Sequence, residues 1–185
     1  MIYIFEKKME KQFLLGIYFF LLLSITGNNL SAQKSNQVSA SGHITAEIIS
    51  AFSAMEMSEL NFGRISPGPY GGEIILSPQG TVSFLGSVSK GSGFHNSASF
   101  SLTGENNTAF SINLPNTVAT LTNIANAKTM VVKNWISTPA PGILSGTLQD
   151  GNQTVFIGAT LEVGTPSDNP VGIYKGSYTI TFDFN

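Results

Sequence analysis

Side chains able to do chemistry are few in this sequence, and they are scattered. None of the 185 residues is cysteine, which excludes disulfides, thiol nucleophiles, zinc–thiolate sites, iron–sulfur clusters and lipidated cysteines. Of the two histidines, His43 falls on the polar side of an alternating run and His95 in a Gly/Ser/Asn stretch. Neither has the neighbouring carboxylate that would help it act as a base or hold a metal, so both read as solvated. Glu56 and Glu59 could bring two carboxylates together, but a charged strand end accounts for them equally well. Ser87-Val88-Ser89-Lys90 has the S-x-x-K spacing of penicillin-recognising enzymes, yet no helix start and no partner motif accompanies it. Gly91-Ser92-Gly93 lacks the third glycine of a dinucleotide loop and opens no helix. Asp150-Gly151-Asn152 and Asp168-Asn169 offer oxygen ligands without the spacing of a calcium loop, and read as turns. Asn106-Asn107-Thr108 and Asn152-Gln153-Thr154 fit the N-glycosylation pattern. The lone Trp135 reads as a packing residue at the core or its rim, with a ligand platform as the alternative. No set converges on a reaction, so the expectation is a non-enzymatic protein with no catalytic residue, no cofactor and no metal.

The elements that would position any site are strands. Period-two alternation puts Tyr174, Gly176, Tyr178, Ile180, Phe182 and Phe184 on one face of a C-terminal strand. It does the same for Val155, Ile157, Ala159, Leu161 and Val163, for Ala98, Phe100 and Leu102, and for Phe110, Ile112 and Leu114. Shorter candidates lie at residues 52–57, 60–65, 73–76, 81–85, 118–122 and 130–135. Turn chemistry falls between them. Gly104-Glu105-Asn106-Asn107 has hairpin-like length, Ser77-Pro78-Gln79-Gly80 places proline second in a turn, and residues 67–72 and 139–141 are proline-rich loops. Such spacing predicts an all-β chain, an antiparallel sandwich or barrel. With 42 % hydrophobic and 11 % charged residues the chain is no disordered tail, and a net charge of −2 gives no field for nucleic acid.

The first 32 residues read as an address. Lys7, Lys8 and Lys11 precede an apolar run at residues 13–26, and small residues follow at Ser31 and Ala32. That run is shorter than the roughly 20 apolar residues a membrane-spanning helix needs, so it predicts a secretory signal peptide cleaved after Ala32. Translation could start at Met1 or Met9. The expected organisation is a signal peptide at 1–32 and one domain at 33–185, of which 33–42 is a candidate flexible arm. The expected location is the periplasm, cell surface or extracellular space, with no stable membrane span after cleavage.

Several motifs resemble those of a bacterial family, domain-of-unknown-function family 4402. They are Leu60-Asn61-Phe62-Gly63-Arg64-Ile65-Ser66-Pro67-Gly68, Ser97-Ala98-Ser99-Phe100-Ser101-Leu102-Thr103-Gly104, Phe110-Ser111-Ile112-Asn113-Leu114-Pro115, Thr160-Leu161-Glu162-Val163-Gly164 and Gly172-Ile173-Tyr174 with Gly176-Ser177-Tyr178-Thr179-Ile180-Thr181. The resemblance covers nearly all of residues 42–185. It implies a secreted bacterial β-sandwich related in outline to fimbrial subunits, here an antiparallel immunoglobulin-like β-sandwich, and it carries over no catalytic or binding residue.

Two function classes remain. The first is a structural or adhesive surface protein, a fimbrial-type subunit assembling by strand addition, in which an extended segment completes a neighbour's sheet. The segment with the right pattern is Val38, Ala40, Gly42, Ile44, Ala46 and Ile48, alternating with polar residues. Its other reading is the domain's own first strand. Partners in this class are copies of the chain, other surface subunits and a periplasmic chaperone, with no nucleic acid. The second class is an exported carbohydrate- or ligand-binding sandwich.

Overall fold

The structure is a computed structural model that describes Leu14, Gly16 and residues 37–185. Apart from Leu14 and Gly16, the expected signal peptide and its cleavage site lie outside the described residues. Within them, no helix is long and apolar enough to cross a membrane. The chain divides into two units, Met1–Ala46 and Glu47–Asn185.

The second unit turns the alternating pattern into eleven strands. These are β1 (Ser53–Ser58), β2 (Ile65–Leu76), β3 (Val82–Lys90), β4 (Ala98–Thr103), β5 (Ala109–Asn113), β6 (Ala119–Asn123), β7 (Thr129–Thr138), β8 (Gly142–Thr147), β9 (Asn152–Val163), β10 (Tyr174–Lys175) and β11 (Thr181–Phe184). All pairings are antiparallel, and the fold is an antiparallel β-sandwich of an eight-stranded and a three-stranded sheet. β9 is the axis of the larger sheet. One of its edges pairs with β7. The other pairs with β4 along residues 152–157 and with β2 along 159–163. The change of partner falls at Gly158, where a Cβ would collide with the carbonyl oxygen of Leu76. Outside these lie β1 on β4, β3 on β2, β6 on β7 and β10 on β6; in the smaller sheet β5 sits between β11 and β8.

The inward residues of β9 are Val155, Ile157, Ala159, Leu161 and Val163, all essentially sealed from solvent. A one-residue slip would turn them outward. At about 1.5–3 kcal/mol per large apolar side chain, that costs on the order of 10 kcal/mol, comparable to a whole domain's stability. One face of the large sheet thereby serves two apolar clusters. In the first, Ala98, Leu102, Val155 and Ile157 pack against Phe110 and Ile112 of the small sheet, and Phe182 and Phe184 close the edge. In the second, Ile74, Met130, Val132 and Leu161 contact no strand of the small sheet; Leu60, Phe62, Ile65 and Tyr174 cover them instead. Leu60 and Trp135 touch both clusters. On the opposite face Lys133 Nζ bonds Glu73 at 2.9 Å and Glu162 at 2.7 Å, tying β7, β2 and β9.

Several expectations change. Residues 37–52 form no strand, although residues 38–48 alternate as regularly as β9. The C-terminal strand is two pieces, because β10 belongs to the large sheet and β11 to the small one. Residues 176–180, which pass between the sheets, pair with neither. Gly104-Glu105-Asn106-Asn107 is not a hairpin turn: β4 and β5 lie in different sheets, so it crosses between layers. The proline-rich stretch 67–72 lies inside β2, where the pairing with β3 is irregular between Pro67 and Gly72. Of residues 60–64 only Asn61 pairs, in a single bridge to Asn96. The turn at Ser77-Pro78-Gln79-Gly80 stands as read, closed by Gly80 N donating to Ser77 O at 2.9 Å.

Candidate functional site: an exposed arm and an open cleft

Two features carry unsatisfied apolar surface. The first is the arm before β1. Val38, Ile44 and Ile48 are 94 %, 99 % and 98 % exposed, and Ala40, Gly42 and Ala46 are exposed beside them. Its root is fixed. Phe52 stacks on Phe184 with ring centroids 4.5 Å apart, and a Cβ on Gly104 would strike its ring. The six residues expected to form a strand-addition interface are therefore present as an unpaired, solvent-facing segment.

The second feature is a cleft of about 900 Å³ over the half of the large sheet that the small sheet leaves uncovered. Leu121, Met130, Val132 and Leu161 lie at its base, the last three buried, and the half-buried Leu60, Phe62, Ile65 and Tyr174 line it above them. One wall is residues 59–67. Asn61 turns this wall: its backbone bridges Asn96, and its Oδ1 accepts from Gly63 N at 2.8 Å. Gly63 has φ 79° and sits under the Phe94 carbonyl oxygen, so a side chain there would be strained on both counts. The other wall is residues 169–178. Buried Asn169 donates from Nδ2 to Thr129 O at 2.8 Å and accepts at Oδ1 from Gly164 N. Tyr174 OH donates to Pro170 O at 2.9 Å. Trp135 and Tyr178 pack with ring centroids 4.6 Å apart and planes tilted by 33°, and Trp135 touches both clusters. Trp135 Nε1 and Tyr178 OH are both buried without a hydrogen-bond partner. Burial, with the Glu56 carboxylate as the smaller cause, holds the Tyr178 phenol well above its ordinary pKa.

The remaining sequence candidates fall elsewhere. His43 is exposed in the arm. His95 is half-buried with Nδ1 unpartnered, so the reading of it as a solvated histidine is corrected: the bridge between its neighbour Asn96 and Asn61 holds it against the domain. Ser87 sits on β3, not at a helix start; its hydroxyl accepts from Tyr70 N at 2.9 Å and donates to Gly71 O at 3.0 Å, bracing the irregular part of β2. Asp168 Oδ2 accepts from Thr165 Oγ1 at 2.7 Å and from Thr165 N at 3.2 Å; these bonds lower its pKa and make a turn. Asp150 and Gly151, both at positive φ, make another. Among the described residues no group of three or more His, Asp or Glu is placed to hold a metal ion. The cleft itself was not foreseen. Its signal lies in two of the family-like motifs, Leu60-Asn61-Phe62-Gly63 and Gly172-Ile173-Tyr174, which supply its opposite walls.

The fold and these features define an antiparallel β-sandwich whose second layer covers half of its first. The chain belongs to the family described as domain of unknown function (DUF4402), whose model matches residues 52–184. No curated protein matches it.

Proposed function

We propose that the protein is an exported, non-enzymatic structural or adhesive surface subunit of fimbrial type, assembling by strand addition with residues 38–48 as the donor. The observation that carries this reading is the arm: Val38, Ala40, Gly42, Ile44, Ala46 and Ile48 alternate with polar residues, yet all are exposed and unpaired. An alternating segment without a partner edge supplies both halves of β-augmentation. Its backbone offers a ladder, and its apolar positions offer side chains for alternate pockets. The signal-like residues 1–32 support export, to the periplasm, cell surface or beyond. Before assembly so exposed a segment needs cover, and a periplasmic chaperone is the partner that fits. The test is sedimentation of the exported protein beside a variant lacking residues 33–48. The full protein is expected to form oligomers, and the deletion to stay monomeric with its melting temperature unchanged. A full-length protein that remains monomeric at high concentration overturns the reading.

The cleft favours one second reading, an exported carbohydrate- or ligand-binding module, because about 900 Å³ lies within the range of small-molecule sites. In that case ligand binding would survive deletion of the arm.

A further inference from the structure

We infer that the arm of one copy seats in the cleft of the next, so that subunits join head to tail; this rests on the strand-addition reading above. The arm leaves the domain at Phe52, one residue before the pairing of Ser53 with Thr103, which in turn pairs with Asn152 at the start of β9. The cleft base includes Leu161, near the other end of β9. At about 3.3 Å per residue the two features are separated by roughly 30 Å along that strand. The arm root and the cleft therefore lie toward opposite ends of β9. A contact between arm and cleft is heterologous and propagates instead of closing into a two-fold dimer.

The cleft matches this occupant in three respects. No small-sheet strand packs over this part of the large sheet, and the half-buried Leu60, Phe62, Ile65 and Tyr174 that cover it line the cleft with apolar surface. Along its rim residues 176–178 pair with no strand, leaving backbone for an incoming ladder. Arg64 and Lys175 line the same cleft against one carboxylate, Glu59; both cations are exposed and outside any ion pair among the described residues, and the arm carries Glu47 on its polar side.

The absence of cysteine makes the test clean. Ile44→Cys in the arm, Ser177→Cys at the cleft rim and Ile143→Cys on β8 all change exposed residues, so each variant should fold as the wild type does. Ile44→Cys is mixed with either of the other two under mild oxidation, and cross-linked dimers are counted. With Ser177→Cys the yield is expected to be roughly tenfold or more above that with Ile143→Cys, because docking raises the thiols to about millimolar effective concentration. Oligomers that form without this preference overturn the cleft as acceptor and leave strand addition standing. An Ile44→Cys/Ser177→Cys double variant that cross-links only within single chains overturns the trans arrangement. Absence of oligomers altogether removes the underlying reading as well as this one.

Discussion

Tyr178 shows what a single side chain contributes. Its hydroxyl is buried without a partner, so the ring is held for its packing on Trp135. An unsatisfied buried polar group costs roughly 1–3 kcal/mol, and Tyr178→Phe is expected to raise stability by about 1 kcal/mol in urea unfolding. The raised phenol pKa has a definite sign. The folded state keeps the proton, while the unfolded chain releases it near pH 10. Stability from this group is complete below that pH and is lost as pH rises further. Melting temperatures at pH 8 and pH 11 should therefore differ more in the wild type than in Tyr178→Phe. Ile44 makes the opposite case. Because it is fully exposed, Ile44→Asp should leave circular dichroism and melting unchanged while abolishing oligomers, since a charge would have to enter an apolar site. Little of this was legible in the sequence. Whether Tyr178 or His95 finds a hydrogen-bond partner depends on which segments cross it, and residue order does not encode that.

At the scale of elements, legibility followed packing. β4, β5 and β9 are readable because each buries alternate residues against another layer, and burial imposes the period. The arm at residues 38–48 has the same period and no strand, because alternation specifies a face but supplies no partner edge. β8 was missed for the converse reason: it is an irregularly paired edge strand whose Ile143 and Leu144 stay exposed, so no period is enforced. The division between β10 and β11 was equally hidden, since one unbroken pattern of inward aromatics serves both sheets. Within β9, Leu161→Ala removes a sealed side chain from the second cluster and should cost about 2–5 kcal/mol. Deleting residues 177–185 removes β11 together with Tyr178, Ile180, Phe182 and Phe184, and should abolish the cooperative thermal transition.

For the whole molecule, the sequence led to a cysteine-free antiparallel sandwich because composition and turn spacing leave few other ways to bury this much apolar surface. It did not reveal that the second layer stops halfway, which depends on the pairing of strands distant in sequence. That half-covered architecture yields a final expectation. A synthetic peptide of residues 33–48, added in excess, should compete for the cleft and shorten assemblies in light scattering. The continuity of β9 has one more consequence. It runs without a break from beside the arm root to beside the cleft, paired on one edge by β4 and then β2, and from Phe156 onward by β7 on the other. Tension between those two points acts along the strand, so its ladder hydrogen bonds lie across the pull. They carry the load together in shear, where a hairpin peeled from one end would surrender its bonds singly. A thread of such subunits, tugged at the cell surface, would bear force through the strand that also holds both of its cores.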